Sequence, residues 1–295
     1  LSIAALAIAA LSGQPGSAFA YCRLTTEKPR VSDTCAAQGL GLSWKQACVS
    51  FSVLDRQHDD PPLEDVRDVI DRSFATWTDV VCDGDPIGMS ARETGELAEC
   101  DEAEYNTDAP NANTVIFIDD WEDRELPDDA FGLTLVWHNG MTGEIYDADI
   151  QLNETIGPFA ICRGECPPGA VDLENVVTHE AGHFFGLGHS QVRTATMSAR
   201  ATVGETIKRD LSEDDRAGLC AIYGRLPEPV CSEADYTPRH GFSPACGPDP
   251  QRSGCAVASS GPRGGHSAGA DPRALAAAML VLAALVSRAR SRRTR

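Results

Sequence analysis

One stretch constrains this chain more than any other: Val176-Val177-Thr178-His179-Glu180-Ala181-Gly182-His183-Phe184-Phe185-Gly186-Leu187-Gly188-His189-Ser190. On a helix, residues i and i+4 stack on one face, so His179 and His183 point the same way. Two imidazoles so arranged can grip one Zn²⁺ at about 2.0–2.1 Å each. Glu180, beside the first ligand, can reach a water on the metal without ligating. Gly186 lets the helix stop and the chain double back, which brings His189 to the metal as third ligand. Three neutral nitrogens leave a dipositive centre with a fourth position open, the arrangement of a catalytic zinc rather than a structural one. The bland alternative is a metal-free core helix, and it would bury three histidines and a glutamate unpaired at high cost.

The surrounding chain supplies the elements such a helix needs. Ala47 to Leu54 alternates as a strand, with Val49, Phe51 and Val53 on one face. After Pro61 and Pro62, residues Leu63, Val66, Ile70, Phe74, Trp77 and Val81 recur at helical spacing. Residues 83–112 read as loop, and Thr114 to Ile118 as a short buried strand. Phe131–His138 and Glu144–Leu152 flank an Asn139-Gly140 turn and read as a hairpin. On its second strand Tyr146, Ala148, Ile150 and Leu152 face the core. Asp147, Asp149 and Gln151 face solvent, as in a half-buried strand. Asp172 to Phe185 is the histidine-bearing helix. Ser212 to Tyr223 is another, with Ser212 as N-cap and Gly224 as its stop.

The eleven cysteines point to an oxidising compartment. Ten lie between Cys22 and Cys246, enough for five bridges whose pairing the sequence does not give. Cys162 and Cys166 lack a second pair at zinc-cluster spacing and read as a disulfide. Both ends look like addressing signals. Residues 1–20 carry an apolar run and an Ala18-Phe19-Ala20 cleavage pattern, as in a secretory signal peptide. Residues 21–43 form a short disulfide-bearing extension, and 225–273, rich in Pro, Gly and Cys, read as a linker. Residues 274–295 join an apolar run to an arginine-rich end. That run is short for a bilayer, which needs about 17–25 residues, and implies at most a C-terminal surface attachment. With 44 acidic against 25 basic residues and a net charge of −19, nucleic acid is not an expected partner. Asp119, Asp120, Asp123, Asp128 and Asp129 could bind Ca²⁺ but fit no standard loop, and read as a solvated acidic face.

The histidine stretch is the metzincin pattern H-E-x-x-H-x-x-G-x-x-H. Met197, in Ala195-Thr196-Met197-Ser198, resembles the methionine that metzincins set beneath the metal. Within that group residues 44–224 resemble a matrixin. Ser190 follows the third histidine, Val171-Asp172-Leu173-Glu174-Asn175 leads into the helix, and Leu211 to Gly224 is similar to the closing helix of that family. The resemblance implies an α+β fold with a twisted, mostly parallel sheet, an antiparallel edge strand, an active-site helix and a C-terminal helix. It implies a zinc metalloendopeptidase, expected as a monomer. Its extended polypeptide substrate would pair with the edge strand within Phe131–His138, with Glu180 as catalytic base and Gly186 and Met197 supporting the site. The chain departs from the family in lacking the Pro-Arg-Cys-Gly propeptide motif and the histidines of a second zinc, since only His138 lies in the strand region. Cys255 onward is similar to myxobacterial C-terminal sorting signals. A catalytically silent surface-binding protein on the same scaffold is the rival reading, although a decayed enzyme would be expected to lose Glu180 or a ligand.

Overall fold

A computed structural model of the chain describes residues 20–27, 35–36, 38–54 and 61–248, and the backbone of 255–260. The elements that position the site are β1 (Cys48–Val53), α1 (Leu63–Thr78), β2 (Ser90–Glu93), β3 (Thr114–Ile118), β4 (Ala130–His138), β5 (Glu144–Asn153), α2 (Leu173–Phe184), α3 (Glu213–Tyr223) and β6 (Cys255–Ser260). They build one sheet in the order β6-β4-β5-β3-β1-β2. Strands β2, β1, β3 and β5 are parallel neighbours. Strand β4 runs antiparallel to β5, and β6 antiparallel to β4. This is the mostly parallel α+β sheet that the sequence implied, with one correction: β4, expected as the antiparallel edge strand, is covered by β6, which takes the edge instead.

The helical spacing in α1 buries Val66, Val69, Ile70, Phe74 and Trp77 against the sheet. Phe74 stacks on Phe51 of β1 with ring centroids 4.0 Å apart and meets Phe184 of α2 edge-on. A fully buried side chain of this size contributes roughly 1.5–3 kcal/mol. Val81 does not continue the helix face: α1 stops at Thr78, and Val81 lies exposed on a short hairpin turned by Asp83 and Gly84, both at positive φ.

A second apolar cluster, with Ile116, Trp121, Leu133, Leu135 and Trp137, covers the opposite sheet face. That layer corrects the half-buried expectation for β5. Asp147, Asp149 and Gln151 are buried, because the 103–106 segment lies over them and Glu104 N donates to Asp149 Oδ2 at 2.9 Å. Tyr146 packs with this second cluster and Ile145 with the main core. The register shift opposite Trp137 and His138 leaves Tyr146 as the extra residue of a bulge.

Residues 83–112 also hold more than loop, since β2 extends the sheet beyond β1. The segment from Arg225, read as a linker, is a strap on the same domain as far as it is described. Disulfides Cys48–Cys231 and Cys100–Cys246 fasten it. Ser50 Oγ donates to Tyr236 O at 2.6 Å, and the Arg92 guanidinium lies 3.9 Å over the Tyr236 ring. The sequence reading failed here because bridges and backbone bonds, not apolar periodicity, hold the strap. The other bridges are Cys22–Cys35, Cys82–Cys220 and Cys162–Cys166. No helix among the described residues is long and apolar enough to cross a membrane. The leader expected in residues 1–20 lies outside the described residues apart from Ala20, and the apolar tail lies wholly outside them.

Candidate active site

Asp172 starts α2 by accepting from Asn175 N at 2.9 Å. Arg209 donates to the same carboxylate at 2.8 Å, which fixes the buried N-terminus of the helix. Trp77 Nε1 donates to Thr178 O at 2.8 Å, and Trp44 Nε1 to Phe184 O at 2.8 Å. Indole donors from two elements thus fix the start of the histidine turn and its end. Beyond Phe185 the chain reverses at Gly186, whose φ is +91°. A side chain there would be strained, and its Cβ would stand 2.7 Å from Leu42 O. Leu187–Gly188 then pairs with Cys22–Arg23, and His189 follows.

The reversal brings His179, His183 and His189 together, with one ligand atom from each within 4.8 Å of the others. All three are buried. His179 Nδ1 sits 2.6 Å from Thr196 O and His183 Nδ1 2.8 Å from Leu187 O. Carbonyls only accept, so these Nδ1 atoms carry the protons and the Nε2 lone pairs face inward. His179 Nε2 is buried without a hydrogen-bond partner, and His183 Nε2 lies 3.3 Å from His189 Nε2. A cluster of basic nitrogens aimed at one point, one of them orphaned, fits a divalent metal of zinc type. Burial, reinforced for His179 by Lys208 and for His183 by His189, holds both imidazoles well below the usual histidine range. They are therefore neutral, as ligands must be.

Glu180 projects from α2 toward β4. Thr134 Oγ1 donates to its Oε2 at 2.7 Å. Gly132 stands two residues away on β4, and a Cβ there would come within 2.9 Å of Glu180 Cγ and Oε1. Met197 lies under the helix, where a Cβ on Gly182 would overlap its Sδ. Asp215, the residue that closes the capping box of α3, accepts from Thr196 N at 2.8 Å and Met197 N at 3.0 Å. Asp214 accepts from Ser190 Oγ at 2.5 Å. Lys208, buried beneath the site, donates to Ser198 O, and its Nζ is 3.5 Å from His179 Nδ1. Burial pushes its ammonium down to about 8.

All six residues singled out from the sequence thus gather around α2. Thr134, Gly182, Lys208 and Asp215 join them. Sequence reading missed these four as site residues because their roles arise from contacts across the fold. Asp119, Asp120, Asp123, Asp128 and Asp129 form no converging group of three ligands among the described residues, and Asp120 instead accepts from Arg124 Nε at 2.6 Å.

The sheet, the helix and the three converging imidazoles define a metzincin-type domain. Residues 43–224 match the Matrixin family, peptidase M10, and the chain belongs to it. It is 29% identical over 170 residues to Metalloendoproteinase 2-MMP of Arabidopsis thaliana, covering 57% of this chain and 39% of that protein. Matrix metalloproteinase-25 of Mus musculus is 28% identical over 222 residues, covering 69% and 32%. Karilysin of Tannerella forsythia is 39% identical over 72 residues, covering 23% and 15%. The chain spans about two fifths or less of each relative's length.

Proposed function

We propose that this chain is a secreted, zinc-dependent metalloendopeptidase that hydrolyses internal bonds of extended extracellular polypeptides. The observation that carries the reading is the convergence of His179, His183 and His189, with an orphaned Nε2 among them, beside a buried Glu180. Family membership supports it, and five disulfides support an oxidising compartment.

In this reading the three histidines hold the metal, their tautomers set by the Thr196 and Leu187 carbonyls. When bound, zinc supplies a Lewis acid that acidifies water and polarises the scissile carbonyl. Glu180 takes the proton of the attacking water at its carboxylate and delivers it to the departing amine. Thr134 keeps that carboxylate oriented. The substrate lies extended along β4 through main-chain hydrogen bonds. Met197 and Gly186 shape the floor and the turn that keep the ligands in register.

The test is cleavage of denatured casein by the purified protein. Cleavage should cease with a chelator and return with added zinc. Glu180→Ala should keep zinc and lose cleavage. Bound zinc without cleavage, both by the unaltered chain and by a form cut ahead of residue 255, would favour the silent binding protein, and wild-type rates in Glu180→Ala would remove the role given to that residue.

A further inference from the structure

Strand β4 has two edges, and both are taken. One pairs with β5, and the other pairs antiparallel with the chain's own β6. The register is Cys255 with Val136, Ala256 with Leu135, Val257 with Thr134, Ala258 with Leu133 and Ser259 with Gly132. Two residues of β4 stand against the glutamate: Thr134 donates to Glu180 Oε2 at 2.7 Å, and a Cβ on Gly132 would come within 2.9 Å of the same side chain. Adjacent strands lie about 4.8 Å apart, and Cα atoms of β6 also come within 8 Å of α2. The backbone of 257–259 therefore passes alongside the catalytic glutamate, on the strand edge a polypeptide substrate would need.

We propose that residues 255–260 are a built-in pseudosubstrate, a strand of this chain that fills the polypeptide-binding edge of β4 and holds the enzyme closed until it is displaced. The inference rests on the peptidase reading and adds its regulation. Main-chain pairing of this kind is blind to side chains, so a segment of no particular sequence can compete if it is always present. The strap ensures that it is. Cys246 is tied to Cys100, nine residues before Cys255, and a short tether of this sort gives an effective concentration in the millimolar range. A free polypeptide must outcompete that. Strand β6 also covers backbone donors and acceptors that would otherwise form an open sheet edge, so the closed form protects the domain from edge-to-edge association.

The experiment compares the full chain with a full-length variant carrying Ala256→Pro and Val257→Pro. In an antiparallel ladder neighbouring residues alternate in bonding toward the partner, so one of the two prolines removes a donor aimed at β4. A second full-length form carries a site-specific protease sequence between Arg252 and Ser253 and is cut after folding, which cuts the tether without altering β6. Each form is assayed for cleavage of fluorescein-labelled casein. Each is also made with Glu180→Gln, so that casein binding can be read by anisotropy without turnover. Release of β6 should tighten binding at least tenfold and raise kcat/KM at least tenfold, chiefly through KM. Equal binding and equal cleavage in all forms would overturn the pseudosubstrate and leave the peptidase standing. Forms that neither bind nor cleave casein would overturn the peptidase reading, and the pseudosubstrate with it.

Discussion

Thr134 donates to Glu180 through a 2.7 Å hydrogen bond that links strand β4 to the metal-site helix. The hydroxyl is fully buried, as is the carboxylate, so water cannot replace it. Thr134→Val keeps the shape and deletes the donor. A hydrogen bond to a charged group is worth about 1.5–3 kcal/mol, which corresponds to roughly a tenfold to hundredfold loss in kcat. KM should move little, because in the proposed reading a substrate would meet β4 through its backbone. Steady-state kinetics on a fluorogenic peptide decide this, and an unchanged kcat would show that Glu180 needs no orienting donor.

Gly182 and Met197 form the second close relationship. The helix can rest on the methionine only because residue 182 has no side chain, since a Cβ there would overlap Met197 Sδ and crowd Trp77. Gly182→Ala favours the helix locally by about 1 kcal/mol but overpacks the core, which typically costs about 1–3 kcal/mol. The expected net result is a lower melting temperature and weaker zinc retention in a chelator competition. A variant as stable as wild type, with unchanged zinc retention, would mean that Met197 can move freely.

How much of this was legible beforehand follows from the range of each interaction. The histidine-bearing helix and its turn lie within residues 173–189, so periodicity, spacing and one glycine defined them. Strands β1 and β5, through alternation, and β4, through the turn that joins it to β5, were readable for the same reason. Strand β2 was not: Ser90, Ala91, Arg92 and Glu93 are all half-buried, and no alternation marks them. Asp147 and Asp149 looked solvated because the cover over them comes from residues 103–106. Thr134, Lys208 and Asp215 reach the site from other elements, and no local pattern announces that.

The strap gives a prediction about stability rather than chemistry. Cys82–Cys220 closes most of the loop that Cys48–Cys231 spans, so the second bridge restricts only the remaining part. For a loop of about 45 residues the chain-entropy argument gives roughly 4 kcal/mol as an upper figure. Replacing Cys48 and Cys231 together by serine should lower the unfolding midpoint in denaturant and expose residues 225–246 to limited proteolysis. Casein cleavage by the folded fraction should persist, because α2 is anchored by Trp44 and Trp77, and the backbone of Thr196 and Met197 by Asp215, instead. Unchanged proteolysis would mean that Tyr236 and its neighbours hold the strap unaided.

Asp147 makes stability depend on pH in a direction unusual for a carboxylate. Both of its oxygens are buried without a hydrogen-bond partner. Burial first, then the nearby Asp149 and Glu104, hold its carboxyl well above the usual range, and burial raises Asp149 to about 7. In the unfolded chain an aspartate titrates near 3.9. Between that value and the raised one the folded state holds more protons than the unfolded state, so stability falls as pH rises through the window. Each unit of separation corresponds to about 1.4 kcal/mol. Asp147→Asn cannot ionise and should be less destabilised on going from pH 5 to pH 8 than the wild type. Urea unfolding at the two pH values gives the difference directly. Parallel slopes for the two proteins would show that Asp147 is ionised in the fold and that its cover admits water.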